Sequence, residues 1–543
     1  MGEREHRRFH GQVLVLMAVS MVALLGFTAL AVDVGHLLGQ RRMTQNAADA
    51  AALAGARLLM ANRSDAEIIA AAGDYARRNG YQGAFTPSNI EINRSAQTVR
   101  VALTSDVERF FIGAVYTGNW QASAQAIARV GREPGDYALL ALDVNNPSAI
   151  NLIGNVTVRV IDGGAMSNGG MRCVGNARLH ADATVDAHLV PGFSQTGNCQ
   201  FQGNQGRNGG MPVVEDPLRN VPPPPRPSVP GQLNLNPPTN GQCTGSGNLT
   251  CTPGNYPGNF NHNGSVTFQS GDYRFRQQVN LTVNGQTVTF GGGRYQFDRQ
   301  LSVTGNGTVI LNGGFYEFNA GFSVTGNVTL VLHPGTYVFR GGAFSITGNS
   351  TIQLSPGQYN FVFISSSFVN TGNVQLGGAS PSQISFYMRN SDFATHGSSD
   401  TRLLPGIYYF DGGTFRLHGN QTIVGQNVLF YLANGARMDV VGTTSYQLAG
   451  STTPLYPGMQ PGLVIFQERG NTSTFRMVGN SRTFIQGIVY LPDAPLELFG
   501  NVSGTWAEGQ LIVDRLTNAG NVNAQVRYRK YVDVELPTVW LVE

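Results

Sequence analysis

The 543-residue sequence holds a single lysine, Lys530, and charged side chains make up only 13% of it, about half the share usual for soluble domains. With 36 basic against 33 acidic residues the net charge is +3, too little for a nucleic-acid partner. Cysteine is scarce: the four are Cys173, Cys199, Cys243 and Cys251, and the absence of any Cys-x-x-Cys argues against structural zinc. Gly-x-Ser-x-Gly, His-Glu-x-x-His and Walker motifs are missing too, which removes the commonest hydrolase and nucleotide-binding signatures. Long apolar runs are absent but for one.

That run extends from Gly11 to Val32 and carries no charge over 22 residues. At 1.5 Å per residue it spans a hydrocarbon core of about 30 Å. Arg4, Arg7 and Arg8 precede it and Asp33 follows, a bias that places the N-terminus in the cytoplasm and the bulk of the chain outside the inner membrane. The rival reading is a signal peptide cut after Ala29-Leu30-Ala31, but the apolar stretch exceeds a usual signal core and the helical pattern continues past the cut. An even cysteine count beyond a membrane segment suits an oxidising compartment. Cys243 and Cys251 are close enough for a local bridge, Cys173 and Cys199 form a second candidate pair, and other pairings stay open.

Residues 33–60 lack proline and hold a small-residue cluster, Ala47, Ala48, Ala50, Ala51, Ala52, Ala54, Gly55 and Ala56. Such a helix reads either as a plain stalk or as a packing face for another membrane or pilus component. Its motif is ordered: Gly11-Gln12 before the apolar run, Asp33-Val34-Gly35 after it, Arg41-Arg42, then Gln45 to Ala56 with Gln45, Ala48, Asp49, Ala51, Leu53 and Gly55. In these residues the segment resembles the N-terminal domain of TadG-like proteins of the Tad (Flp) pilus-assembly system. Prepilins of type IV systems carry glutamate five residues after the processed glycine, where this chain has Leu16, so the resemblance implies an accessory protein and not a pilin subunit. Some TadG-like proteins carry a metal-binding Asp-x-Ser-x-Ser; Asp143-Val144-Asn145-Asn146-Pro147 lacks its serines.

After the anchor and stalk of residues 1–61, residues 62–132 read as a small α+β module. Ser64 and Glu67 form a capping box for a helix to about Arg78, Asn79-Gly80 stops it, residues 89–93, 98–105 and 121–130 alternate as strands, and a short helix is expected near 107–116.

Glycine, at 69 residues, is nearly double its ordinary share of about 7%, and most of it is periodic. Gly-Asn pairs begin at Gly154, Gly175, Gly197, Gly305, Gly326, Gly348, Gly372, Gly419, Gly479, Gly500 and Gly520, and the wide gap from Gly372 to Gly419 fits two coils. Tyr273, Tyr295, Tyr316, Tyr337 and Tyr359 recur in phase inside frames such as GGRYQF and PGTYVF, and PGIYYF repeats the frame at Tyr408. Short strands and glycine turns at a period near 21 residues are what a parallel β-helix requires, right-handed by analogy with most known examples. Asparagine beside glycine is expected to occupy left-handed corners and to stack in ladders. The fold class is therefore mainly β: a first β-helical block over 133–212, a proline-rich linker or excursion over 213–240, the main solenoid over 241–527 and a tail over 528–543. The spacing leaves open whether the blocks form one solenoid. Proline cannot donate to a sheet ladder, so residues 213–238 interrupt the pattern. The order of EDPL, the proline run, PGxY coils and GIVYLPDAPLELFGN at 487–501 also resembles TadG-related envelope proteins.

Parallel β-helices often house polysaccharide lyases and hydrolases, which need clustered carboxylates. Here Asp298, Asp392, Asp400, Asp411, Asp439, Asp493 and Asp514 are scattered. The nearest pairs are Asp392 with Asp400, around His396, and Asp392 with Asp411 one coil on; His418 reads as a surface residue. Exposed polar side chains such as Thr325, Thr347 and Tyr408 suit glycan contact or a solvated face. The expectation is a non-enzymatic, cofactor-free structural component of a Tad-type pilus-assembly or surface-adhesion system, with the inner membrane, envelope proteins and surface glycans as partners. The alternative is a membrane-tethered protein that binds or cleaves polysaccharide.

Overall fold

The computed structural model describes residues 9–114, 117–372, 375–378, 382–480 and 482–542. The chain divides into two compact units, residues 1–133 with 536–543, and residues 134–535.

In the first unit the helix α1 (Phe9–Met60) runs unbroken from the apolar stretch into the alanine cluster. The helix α2 (Asp65–Arg78) begins at the expected capping box, with both reciprocal bonds between Ser64 and Glu67 formed, and Gly80 takes a φ of 92° beyond its end. Strands β1 (Ile90–Asn93), β2 (Thr98–Asp106) and β3 (Gln121–Gly135) form an antiparallel sheet. The C-terminal strand Val534–Leu541 adds the fourth position, beside β3. Residues 528–543 are thus not a free tail. The helix expected near 107–116 is one 3₁₀ turn, Ile112–Ala114, and Val115 and Tyr116 lie outside the described residues. The boundary read at 61/62 falls inside one hydrophobic core: Ala47, Ala48, Ala51, Ala52, Ala56 and Leu59 pack with Ile68, Ala72, Val99, Val101 and Ala126.

The second unit is a parallel β-solenoid of about 17 turns. Each coil contributes three short strands, for example Thr287–Phe290, Gly293–Phe297 and Leu301–Gly305. Coils pair in register, Tyr295 over Tyr316 and Val303 over Val324. Inward side chains stack as files: Tyr273, Tyr295, Tyr316 and Tyr337 lie ring on ring at 4.8–5.3 Å. The file then changes residue. An eight-residue strand, Gly357–Ile364, pairs Tyr337 with Phe361 and not with Tyr359, so the aromatic column continues through Phe361, Phe386, Tyr408 and Phe430. Tyr408, read from the sequence as exposed, is buried in this column.

The recurrent tyrosine has a local cause. Its hydroxyl donates to the carbonyl four residues upstream at Tyr273, Tyr316, Tyr337, Tyr359 and Tyr408. A buried phenol needs such a partner, and the bond ties the corner to the strand. At the Gly-Asn corners the glycine, not the asparagine, holds positive φ: 110° at Gly326 and 96° at Gly348. A Cβ on Gly326 would lie 2.2 Å from the Gly305 carbonyl oxygen, so close coil stacking demands glycine twice over. Gly397 supplies the corner missing between Gly372 and Gly419.

The two blocks form one solenoid, but not in chain order. The strand Asn523–Tyr528 of the last main-block coil pairs with Thr157–Ile161. The strand Ser503–Gly520 pairs with Tyr137–Ala141 and with Ile150–Gly154. One turn is therefore a hybrid, with one side from residues 523–528 and two from 137–154. Asparagine amides cross this seam without a break, from Asn198 through Asn176, Asn155, Asn521 and Asn501 to Asn480.

Candidate functional site

This order puts residue 209 at one end of the solenoid and residue 243 at the other, so the proline-rich segment between them must return along the whole main block. It does so as a strap on one face. Asn168 binds Val214 through both amide atoms. Tyr490 donates to Asp216, Arg469 to the carbonyls of Leu218 and Val221, and Tyr456 to that of Pro222. Arg226 reaches Tyr387 and Asp411, Arg340 reaches the Pro230 carbonyl, and Glu317 and Gln296 accept from Leu233 and Leu235. Nine residues from Arg226 to Leu235 cover about 28 Å if extended, against about 19–24 Å for the four or five rungs they cross. There is little slack: of the two readings, linker or excursion, the segment is an excursion from one solenoid, fastened along it as a strap.

Under the strap runs a second file, on the outward side: Gln296, Glu317, Val338, Val362, Tyr387, Tyr409, Tyr431, Phe466, Tyr490 and Ile512, continued by Leu140 and Met166. All are buried. Strands buried on both faces read as unbroken apolar runs, and IYYF, LFYL and GIVYL show that signal in the sequence. Proline suits the covering segment because it brings no N–H to leave unpaired over an apolar face. Burial raises the Tyr409 and Tyr256 phenols to about 12.

The TadG-like residues sort by helix face. Asp33, the first charge after the apolar run, is fully buried; its carboxylate accepts the backbone amides of Phe110 at 3.0 Å, Phe111 at 2.9 Å and Ile112. Gln45 donates to Asp49 and to the Gln125 carbonyl of β3. Ala48 and Ala51 are buried, and Leu53 packs against their cluster. A Cβ on Gly55 would sit 3.0 Å from Val99 Cγ1. The small-residue cluster is thus the seat of α2 and the sheet, neither a bare stalk nor a free face for a partner. Gly11 and Gln12 lie in the first turns of α1. Gly35, Arg41 and Arg42 are on its exposed side, and nothing in the structure explains them.

The carboxylates weighed as chemistry have separate partners. Asp392 accepts the Thr414 amide at 2.7 Å, whereas Asp400 is exposed on a different strand, in register with Gln375 and Thr422. Asp411 is held by the strap, Asp298 binds Arg274, Asp493 accepts the Gly470 amide, and Asp514 binds Arg515 beside Asp143. His418 lies 4.0 Å from Asp439 and edge-on to His396, and burial pushes its imidazole down from the ordinary value. Among the described residues no group of three or more His, Cys, Asp or Glu is placed to hold a metal ion. Thr325 and Thr347 are exposed, and the hydroxyls of their file bond along it, as Thr347 does to Thr371 at 3.1 Å. The structure joins Cys173 to Cys199 and Cys243 to Cys251.

A strapped parallel β-solenoid following an N-terminal apolar helix defines the class of protein. Residues 11–58 match the family model of putative Flp pilus-assembly TadE/G-like proteins, in agreement with the resemblance carried by Asp33, Gln45 and the alanine cluster. The match covers α1 alone; no curated protein and no solved structure matches the chain.

Proposed function

We propose that this chain is a membrane-anchored, extracytoplasmic structural component of a Tad-type pilus-assembly or surface-adhesion system. The observation that carries the reading is the family match over residues 11–58. An exposed apolar helix long enough to cross a bilayer supports it, as do two disulfides, which belong to oxidising compartments. The N-terminus would lie in the cytoplasm and the solenoid on the far side of the inner membrane. Stacked coils give length and stiffness without an active site, so the solenoid would serve as a rigid spacer or contact surface, non-enzymatic and without cofactor. Since Ala47–Ala56 packs within the chain, partner helices in the membrane would meet α1 through residues 13–32. Crosslinking in intact cells followed by purification of the full chain tests this: other Tad assembly proteins should co-purify, and protease added to spheroplasts should cut the solenoid. Recovery of the chain from the soluble cytosolic fraction would refute the reading.

The alternative, binding or cleavage of polysaccharide, draws on the exposed hydroxyl file of Thr325 and Thr347. Incubating the detergent-solubilised full chain with pectin, alginate and peptidoglycan separates the two. Cleavage abolished by Asp392→Ala or Asp400→Ala would make the chain an enzyme.

A further inference from the structure

The segment that enters the 3₁₀ turn after β2 carries two large apolar side chains that the described residues of its unit leave more than half exposed: Phe110 is 56% and Phe111 54% exposed. Such side chains in a turn are ordinarily tucked into the core behind them, as Val107 is three residues earlier. The turn is not loose. Asp33 binds three successive amides of it, and Arg109 closes its base by donating to the Gly118 carbonyl at 2.8 Å. His36, one helical turn beyond Asp33, meets the Phe110 ring edge-on at 5.1 Å. The pinning residue sets the height. Asp33 is one residue past the uncharged run, a rise of about 1.5 Å, so the backbone of Phe110–Ile112 is fastened level with the end of the segment that would lie in hydrocarbon.

We infer that the Phe110–Ile112 turn is an interfacial membrane contact, seated among the lipid headgroups of the leaflet from which α1 emerges. Phenylalanine, like tryptophan and leucine, is a usual anchor of segments that lie in that layer, which adds several ångströms to each side of the hydrocarbon core. With the helix as one attachment and the turn as a second, the first unit cannot swivel freely about α1. Asp33 positions the turn, and because three backbone donors satisfy its carboxylate, it needs no hydration at the membrane surface. The inference rests on α1 being a membrane anchor.

The test uses the full chain in vesicles of phosphatidylethanolamine and phosphatidylglycerol, labelled with an environment-sensitive fluorophore at one introduced cysteine. The sites are Leu24→Cys in the apolar run, Phe111→Cys in the turn, and Ser95→Cys, about 27 Å away along β2. Lipids spin-labelled near the headgroup should quench the label at 111 at least threefold more than at 95, and lipids spin-labelled deep in the chain should quench that at 24. Adding Asp33→Ala should abolish the excess at 111 and leave quenching at 24 unchanged. Quenching at 24 with equal, low quenching at 111 and 95 would overturn this inference alone, as would an excess at 111 that survives Asp33→Ala. Absence of lipid quenching at 24 would overturn the anchor and this inference together.

Discussion

At the scale of the residue, coil stacking places two demands that chemistry meets in few ways. A corner where chains cross at backbone distance accepts only glycine. Gly326→Ala would put a methyl group against the Gly305 carbonyl while holding a left-handed φ, and should cost about 2 kcal/mol or more, read as a lower guanidinium midpoint with the same slope; an unchanged midpoint would contradict the packing described. Buried phenols must stay neutral. Tyr256 and Tyr359 titrate near 10 when unfolded and at about 12 here, both through burial. Their neutral forms favour the fold in full below pH 10, and that contribution is lost as pH rises from 10 through 12, at about 1.4 kcal/mol per pH unit for each group. Stability should therefore be flat toward neutral pH and fall steeply above pH 10, with phenolate absorbance at 295 nm appearing together with loss of circular dichroism. Phenolate absorbance that rises near pH 10 while the fold persists would place these rings in water. Both features were legible in the sequence because stacking makes adjacent coils repeat the same residue. The slip at Tyr359 was hidden, since the tyrosine interval of 22 residues is kept while the strand partner shifts to Phe361.

At the scale of the element, the strap turns what the sequence presents as a break into a tie. Proline content marks residues 213–238 as unable to join the ladder but is silent on where the segment lies. The missing information was in the strands opposite, where Tyr387, Tyr409, Tyr431 and Tyr490 stand at outward positions that would normally be polar. Arg226 is half-exposed, but its partner Asp411 is buried. Arg226→Ala would leave that carboxylate to Tyr387 and Asn434, and should cost about 1–3 kcal/mol, less than a fully buried pair because the guanidinium already meets water. Limited proteolysis reads the consequence: cleavage within 219–232 should quicken severalfold in the variant, while the corners around Gly305 and Gly326 stay resistant. An unchanged cleavage rate would mean that the apolar face, and not the ion pair, holds the strap.

At the scale of the whole molecule, a solenoid has two ends where a coil has one neighbour in place of two, and each end carries a disulfide. Cys173–Cys199 joins two of the last coils across 26 residues and Cys243–Cys251 closes the opening hairpin across 8. A 26-residue loop is worth about 3.5 kcal/mol, so reduction should raise hydrogen exchange in residues 171–209 and 243–268 while the coils at 293–339 keep their protection; uniform loss would show that the ends do not fray independently. The hybrid turn makes a stronger demand. Repeat spacing reveals which coils follow one another but not that residues 137–154 complete a turn begun by 523–528, and the pairing of Asn155 with Asn521 spans 366 positions. Strands 137–161 are synthesised early and find one stacking partner at once in residues 164–181, but lack the other until almost the whole chain exists. Contacts so distant in sequence form late, after loop closure has been offset by local stacking. Pulsed hydrogen exchange during refolding should therefore find the coils at 293–339 protected first, and the strands 137–141, 150–154 and 523–528 protected together and last. Early protection of 137–161, before 503–528, would mean that the first block folds on its own and docks afterwards, and the seam would then be an interface between two finished pieces, not a shared turn.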